Sequence, residues 1–239
     1  MLLGLAVGAR PTMVAGAVVV AVAAVAVARS DRARAFTSIV LPYAAVIGLL
    51  AWWNVARFGS PTEFGFGYQL SVWDMTRYPV YRAAYVGPNV ADYLAAVPRL
   101  HRWWPWLSLR PLVGGDRPES HTAEPIVGVL LLAPVLPVGL ACLATSFRSM
   151  WRGARALAVG AATAAVTGVL ALVLVSLPFN TSTMRYAVDF TPMLLLAACA
   201  GWAWARSGST GGERRRLDVA WVVATALGVA VTTLVQLPT

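Results

Sequence analysis

The chain contains no lysine, and all 19 of its basic residues are arginine. Alongside abundant alanine and valine, that absence reflects GC-rich coding rather than a device for gripping phosphate. Charge is scarce altogether: 12% of residues are charged, against about 25% in soluble domains. The net charge of +9 lies in short clusters between apolar runs, not along one stripe, which argues against nucleic acid as a partner. Cysteine is nearly absent too. Cys142 and Cys199 fall inside apolar segments without a C-x-x-C pair, so redox and metal roles are set aside. His101 and His121 stand alone without ligand spacing and read as surface residues. No G-x-S-x-G, P-loop or H-E-x-x-H pattern occurs. No cofactor and no metal site is evident, and the sequence leaves a divalent metal open.

What is present is apolar. Hydrophobic residues make up 59% of the chain and the mean hydropathy is +0.68. Such a chain cannot cover itself with polar surface, which predicts an all-α integral membrane protein. A spanning helix needs about 20 mostly apolar residues. Thr12–Ala28, Phe36–Ala56, Ile126–Phe147, Ala156–Pro178 and Phe190–Ala205 qualify, and Val219–Leu237 makes a sixth. Residues 1–56 and 126–239 are thus expected to be membrane helices, with an aromatic-rich extracytoplasmic loop at 57–125 between them.

The opening MLLGLAVGA does not fit this scheme. As a helix its nine residues rise only about 14 Å, half of a ~30 Å hydrocarbon core. Joining it to the next span would bury Arg10 and place Pro11 inside a helix. A signal peptide is the poorer reading, because a basic n-region and a cleavage pattern are missing. The expectation is the back half of a helix whose front is absent.

Loops 29–35, 148–155 and 206–218 hold ten arginines and three acids. By the positive-inside rule they are cytoplasmic, and Arg10–Pro11, 57–125, 180–189 and the C-terminus lie outside. The long outer segment carries Tyr68, Trp73, Tyr78, Tyr81, Tyr85, Tyr93, Trp103, Trp104 and Trp106, too many aromatics for a linker. A short helix is predicted at Val90–Val97, with Asp92 near its start and Pro98 after it. The run RLHRWWPWLSLR that follows suits an element lying in the headgroup layer. An N-T-S sequon stands at Asn180, uninformative on the bacterial origin that the GC-rich coding suggests.

Chemistry-bearing residues gather on the outer side. Arg185 and Asp189 lie four apart, so on an α-helix they share a face and can pair. Tyr186 between them is a site residue or an interfacial anchor. Arg10 opens a helix, either as an anion site or as a snorkelling arginine. Glu63 reads first as a solvated loop acid, since no partner carboxylate stands at informative spacing, with a general base or a sugar-hydroxyl partner as the alternative.

Three stretches taken together, GLAVGARPT at 4–12, WNVARFGSPTEFGFGYQL at 53–70 and RYAVDFTPMLLLAA at 185–198, resemble the later membrane segments of bacterial GT-C-type glycosyltransferases. Protein mannosyltransferases and lipid A aminoarabinose transferases belong to that group. The resemblance implies a multi-pass protein of the bacterial cytoplasmic membrane whose substrate is a polyprenyl-phosphate-linked sugar, bound among membrane lipid at the outer face. Arg10, Arg57 and Arg185 would then meet the donor phosphate, and Tyr68 and the loop tryptophans the sugar or lipid. Glu63, Tyr186 and Asp189 complete the candidate donor site. In this family the catalytic acid typically lies in the first outer loop, and this chain has no such loop. The catalytic residue is therefore unassigned, and an enzyme label attaches only to a complete parent chain. A transporter or flippase component for a lipid-linked sugar and a non-catalytic membrane subunit are the competing readings. The absence of internal repeats and the one-sided polar features disfavour transport.

Overall fold

The computed structural model describes residues 2–28, 31–65, 68, 81–102, 107–109, 122–177 and 181–236. Trp73, Tyr78, Trp103, Trp104, Trp106, His121 and Asn180 lie outside the described residues. The elements are mainly helical: α1 (Leu2–Ala9), α2 (Val14–Val27), α3 (Arg32–Phe58), α4 (Val86–Ala95), α5 (Val129–Leu132), α6 (Val135–Gly153), α7 (Arg155–Ser176), α8 (Thr191–Gly208) and α9 (Gly211–Gln236). Two short strand pairs join them. β1 (Arg99–Leu100) pairs antiparallel with β2 (Leu107–Ser108), and β3 (Thr122–Ala123) pairs parallel with β4 (Thr181–Ser182). Among the described residues, α3, α7 and α9 are long and apolar enough to cross a membrane, and α2 is a shorter apolar helix. The faces of α3 and α9 carry exposed Leu41, Leu49, Trp52, Val222, Val229 and Leu234, a surface suited to lipid rather than to water.

Several boundaries differ from those expected, each for a local reason. The helix does break at Arg10–Pro11, where a 3₁₀ turn at Pro11–Met13 separates α1 from α2. Ile126–Phe147 is not one helix. Pro134 disfavours the α conformation at the residue before it, and Ala133 takes φ −133 and ψ 68, so α5 ends and α6 restarts at Val135. The loop 206–218 shrinks because α9 begins at Gly211 and takes Glu213, Arg214, Arg215 and Arg216 into its first turns. The outer helix starts at Val86 rather than Val90 and ends at Ala95. Asp92 accordingly sits well inside it.

That shift buries α4. Tyr93 and Ala96 join Ile126, Leu136, Ala171, Val175, Phe190 and Leu194 in the main core, with the Tyr93 and Phe190 rings edge-on at 5.8 Å. The element from the aromatic-rich segment is thus packed into the helices rather than laid over them. α6 and α8 meet through glycine. A Cβ on Gly201 would lie 2.5 Å from the Gly139 carbonyl oxygen, so only a residue without a side chain permits this approach. Small residues at such crossings are the usual means of bringing membrane helices together.

The contacts sort the turns into two ends. One end joins Thr12 to Asp189, Arg82 to Leu177 and Asn89 to Ser176. The other joins Ala28, Arg32, Trp151 and Arg155 around one cavity, Trp204 to Ser149, and Arg206 to Asp218. This is the alternation expected from the arginine distribution.

Candidate functional site

The candidate site is built at the first of these ends, on the turn between α7 and α8. Met184–Asp189 is a 3₁₀ helix, entered from an extended Thr183 and leading into α8 with a proline in its first turn. With three residues per turn, positions four apart are rotated by about 120°. Arg185 and Asp189 therefore do not share a face, and the pair expected between them does not form. Arg185 is 68% exposed and Asp189 only 2%.

Asp189 is satisfied from far along the chain. Its Oδ1 lies 3.3 Å from Nη1 of Arg10, and its Oδ2 accepts the Thr12 hydroxyl at 2.7 Å. Both residues come from the kink that Pro11 forces between α1 and α2. Burying a carboxylate is costly unless it is paired and hydrogen-bonded, and this one has both partners. The Arg10 side chain remains 39% exposed. The guanidinium carbons of Arg10 and Arg185 lie 5.8 Å and 5.2 Å from the Tyr186 ring centroid. Two cations thus share one aromatic ring. Arg185 has a carboxylate at the limit of ion pairing, Glu124 at 4.0 Å, and both side chains are exposed, so screening leaves that pair weak.

The RFGSPTEFG stretch forms a separate part of this end. Gly59 ends α3 in the left-handed conformation, at φ 74, which glycine adopts without strain. Asn54, buried on α3, donates to the Pro61 carbonyl at 3.2 Å and ties the turn back to its helix. The Glu63 carboxylate accepts the Gly65 N–H at 2.6 Å, so it braces the turn. It also faces Tyr81, whose hydroxyl is shifted upward by burial and then by the Glu63 charge. Arg57 lies over the rings of Trp53 and Phe58, at 5.7 Å and 4.8 Å, and Tyr68 stacks on Phe58 at 5.3 Å. Arg57 and Tyr68 therefore belong to an aromatic cluster at the end of α3, while Arg10, Tyr186 and Asp189 form the charged group.

A cavity of about 420 Å³ lies beside the Pro61–Phe64 turn and meets the charged group through Thr12. Thr12, Asn54, Pro61, Thr62, Phe64 and Tyr81 line it together with the apolar Val7, Val14, Ile47, Leu50 and Leu174. Thr12 reaches both the cavity and Asp189. Thr12, Glu124 and Asn54 are the residues that reasoning from sequence alone passed over. A proline-adjacent threonine beside Arg10 was the one available signal.

The turn itself is clamped by α4. Ser182 donates to Asp92 Oδ2 at 2.8 Å with both residues fully buried. The Thr183 N–H donates to the Tyr93 hydroxyl at 3.4 Å, and burial keeps that phenol far above its ordinary titration range. Replacing Asp92 with alanine strands the Ser182 hydroxyl and is expected to cost about 1–3 kcal/mol. Asp92→Asn, which keeps an acceptor oxygen, should cost less. Thermal unfolding of the two variants, with proteolysis at 181–189 as a second readout, checks this ordering.

No protein-family model, curated protein or solved structure matches the chain. The class its fold defines is an all-α protein with helices of membrane-spanning length and composition.

Proposed function

We propose that the chain forms the later membrane segments of a GT-C-type glycosyltransferase that handles a polyprenyl-phosphate-linked sugar. The observation that carries this reading is the meeting of three distant stretches at one end of the helices. GARPT supplies Arg10 and Thr12, SPTEF supplies Pro61, Thr62 and Phe64, and RYAVD supplies Arg185, Tyr186 and Asp189. In this reading α2, α3, α5 with α6, α7, α8 and α9 are six spans of the bacterial cytoplasmic membrane. The arginine-rich turns are cytoplasmic, so the Asp189 end faces outward.

Transfer from such a donor breaks the bond between the sugar's anomeric carbon and the phosphate oxygen. The bond to the acceptor oxygen forms as a base removes its proton. Negative charge grows on the departing lipid phosphate, where fixed cations stabilise it. In this reading Arg10 and Arg185, at 5.8 Å and 5.2 Å from the Tyr186 ring centroid, supply that charge, each guanidinium offering a bidentate fork to the phosphate oxygens. Asp189 orients Arg10. Its buried carboxylate holds Arg10 and the Thr12 hydroxyl, which makes it a positioning residue in this reading. The mostly apolar lining of the 420 Å³ cavity is suited to the first isoprenoid units.

Equilibrium binding of polyprenyl phosphate to the purified chain in detergent tests the reading, with the uncharged polyprenol as control. The phosphate should bind in preference, and Arg10→Ala should weaken it about tenfold, the equivalent of ~1.4 kcal/mol. Equal binding of phosphate and alcohol, or undiminished binding in folded Arg10→Ala and Arg185→Ala, would sink it.

A further inference from the structure

A second binding site is built at the arginine-rich end. There α2 packs more extensively on α7 than on α3, and an open groove of about 730 Å³ runs between α2 and α3, with Arg155 as the contribution of α7. Val18, Val22, Val25, Phe36 and Val40 line it. Its two ends are unlike. Arg32 and Arg155 stand at one, where the groove continues into a cavity of about 380 Å³ that the same arginines form with Ala28 and Trp151. Tyr43 closes the other, its hydroxyl donating to the Val14 carbonyl at 3.4 Å. From Arg32 to Tyr43 the helix rises about 16 Å at ~1.5 Å per residue, one leaflet of a ~30 Å hydrocarbon core.

The charged end is suited to an anion on two counts. Arg32 and Arg155 are the first residues of α3 and α7; the Asp31 carboxylate already caps the N-terminus of α3, so the open helix dipole at this end is that of α7. The first turn of α7 has no side-chain cap, because Ala154 precedes it. Neither arginine forms an ion pair among the described residues. Arg155 stacks over Trp151 at 5.3 Å, and the Asp31 carboxylate is occupied by the Arg34 N–H.

We propose that this groove binds an anionic phospholipid. The phosphate sits between Arg32 and Arg155, and one acyl chain follows the valine-lined wall toward Tyr43. Basic pockets between membrane helices on the cytoplasmic side recognise lipid headgroups in this way. A zwitterionic lipid brings its own cation against the two arginines, so phosphatidylglycerol is preferred over phosphatidylcholine. The inference rests on the chain spanning a bilayer and on nothing at the Asp189 end.

Native mass spectrometry of the full chain in detergent, titrated with each lipid, tests it. One phosphatidylglycerol should be retained per chain, about tenfold over phosphatidylcholine. The double variant Arg32→Gln/Arg155→Gln should lose that preference. Arg148→Gln/Arg152→Gln, at the same end but outside the groove, should keep it. Ala21→Trp fills the groove with both arginines intact and should abolish retention, which decides the matter should the arginine variant not fold. Equal retention of the two lipids overturns the proposal, as does an equal loss in the Arg148/Arg152 variant. Chain-free glycerophosphate binding as tightly as the lipid, or a lipid-free dimer closed over the groove, overturns it too. Polyprenyl-phosphate binding at Arg10 is measured separately, so each reading can fail alone.

Discussion

Asp189→Ala should weaken polyprenyl-phosphate binding about tenfold while leaving Arg10 in the chain. The buried carboxylate holds the Arg10 guanidinium and the Thr12 hydroxyl at once, and without it Arg10 is free to leave the Tyr186 ring. Removing one partner of a fully buried ion pair costs about 3–5 kcal/mol. Arg10 is 39% exposed, and solvent screening reduces the expected loss of stability to about 1–3 kcal/mol. Asp189→Asn should retain the Thr12 hydrogen bond and recover part of the stability, though not the binding. A double-mutant cycle with Arg10→Ala separates the pair from its surroundings. Coupling of about 1 kcal/mol or more is expected for groups in direct contact. Additive effects within ~0.3 kcal/mol would show that Asp189 acts on the turn rather than on Arg10.

Gly139→Leu should be the most damaging single substitution for the fold. A Cβ at Gly139 would fall on the backbone carbonyl of Ala198, and one on Gly201 would fall on the Gly139 carbonyl. Backbone cannot rotate aside as a side chain can, so α6 and α8 must separate along their whole contact. Overpacking typically costs about 1–3 kcal/mol, and a leucine against backbone is placed at about 3 kcal/mol or beyond. Gly160 on α7 is the internal control, because a Cβ there meets nothing within 4 Å. Gly160→Ala should raise stability by about 0.5–1 kcal/mol through helix propensity. Thermal unfolding in one detergent compares the two. A Gly139→Leu protein as stable as the parent would mean that α6 and α8 do not cross at these glycines.

The membrane-length helices, the break at Arg10–Pro11 and the alternation of arginine-rich and arginine-poor turns are all decided by local composition. Apolar runs must satisfy their backbone internally and so become helices, and proline removes a donor wherever it stands. These are properties of a short window, so they can be read without knowing what lies alongside. Pro134 is a property of the same kind: it turns Ala133 out of the α conformation and divides the third apolar run into α5 and α6.

The partners were another matter. Asp189 looked toward Arg185 on the assumption of α-helical periodicity, and tertiary packing tightened that turn to 3₁₀. Its actual partners lie 179 and 177 positions away, at Arg10 and Thr12. The same holds for Asp92, which the sequence placed near a helix start and the fold buried against Ser182. A lone charge in a sequence states that burial would be costly. Only the packing of helices from opposite ends of the chain decides which charge is buried and what satisfies it.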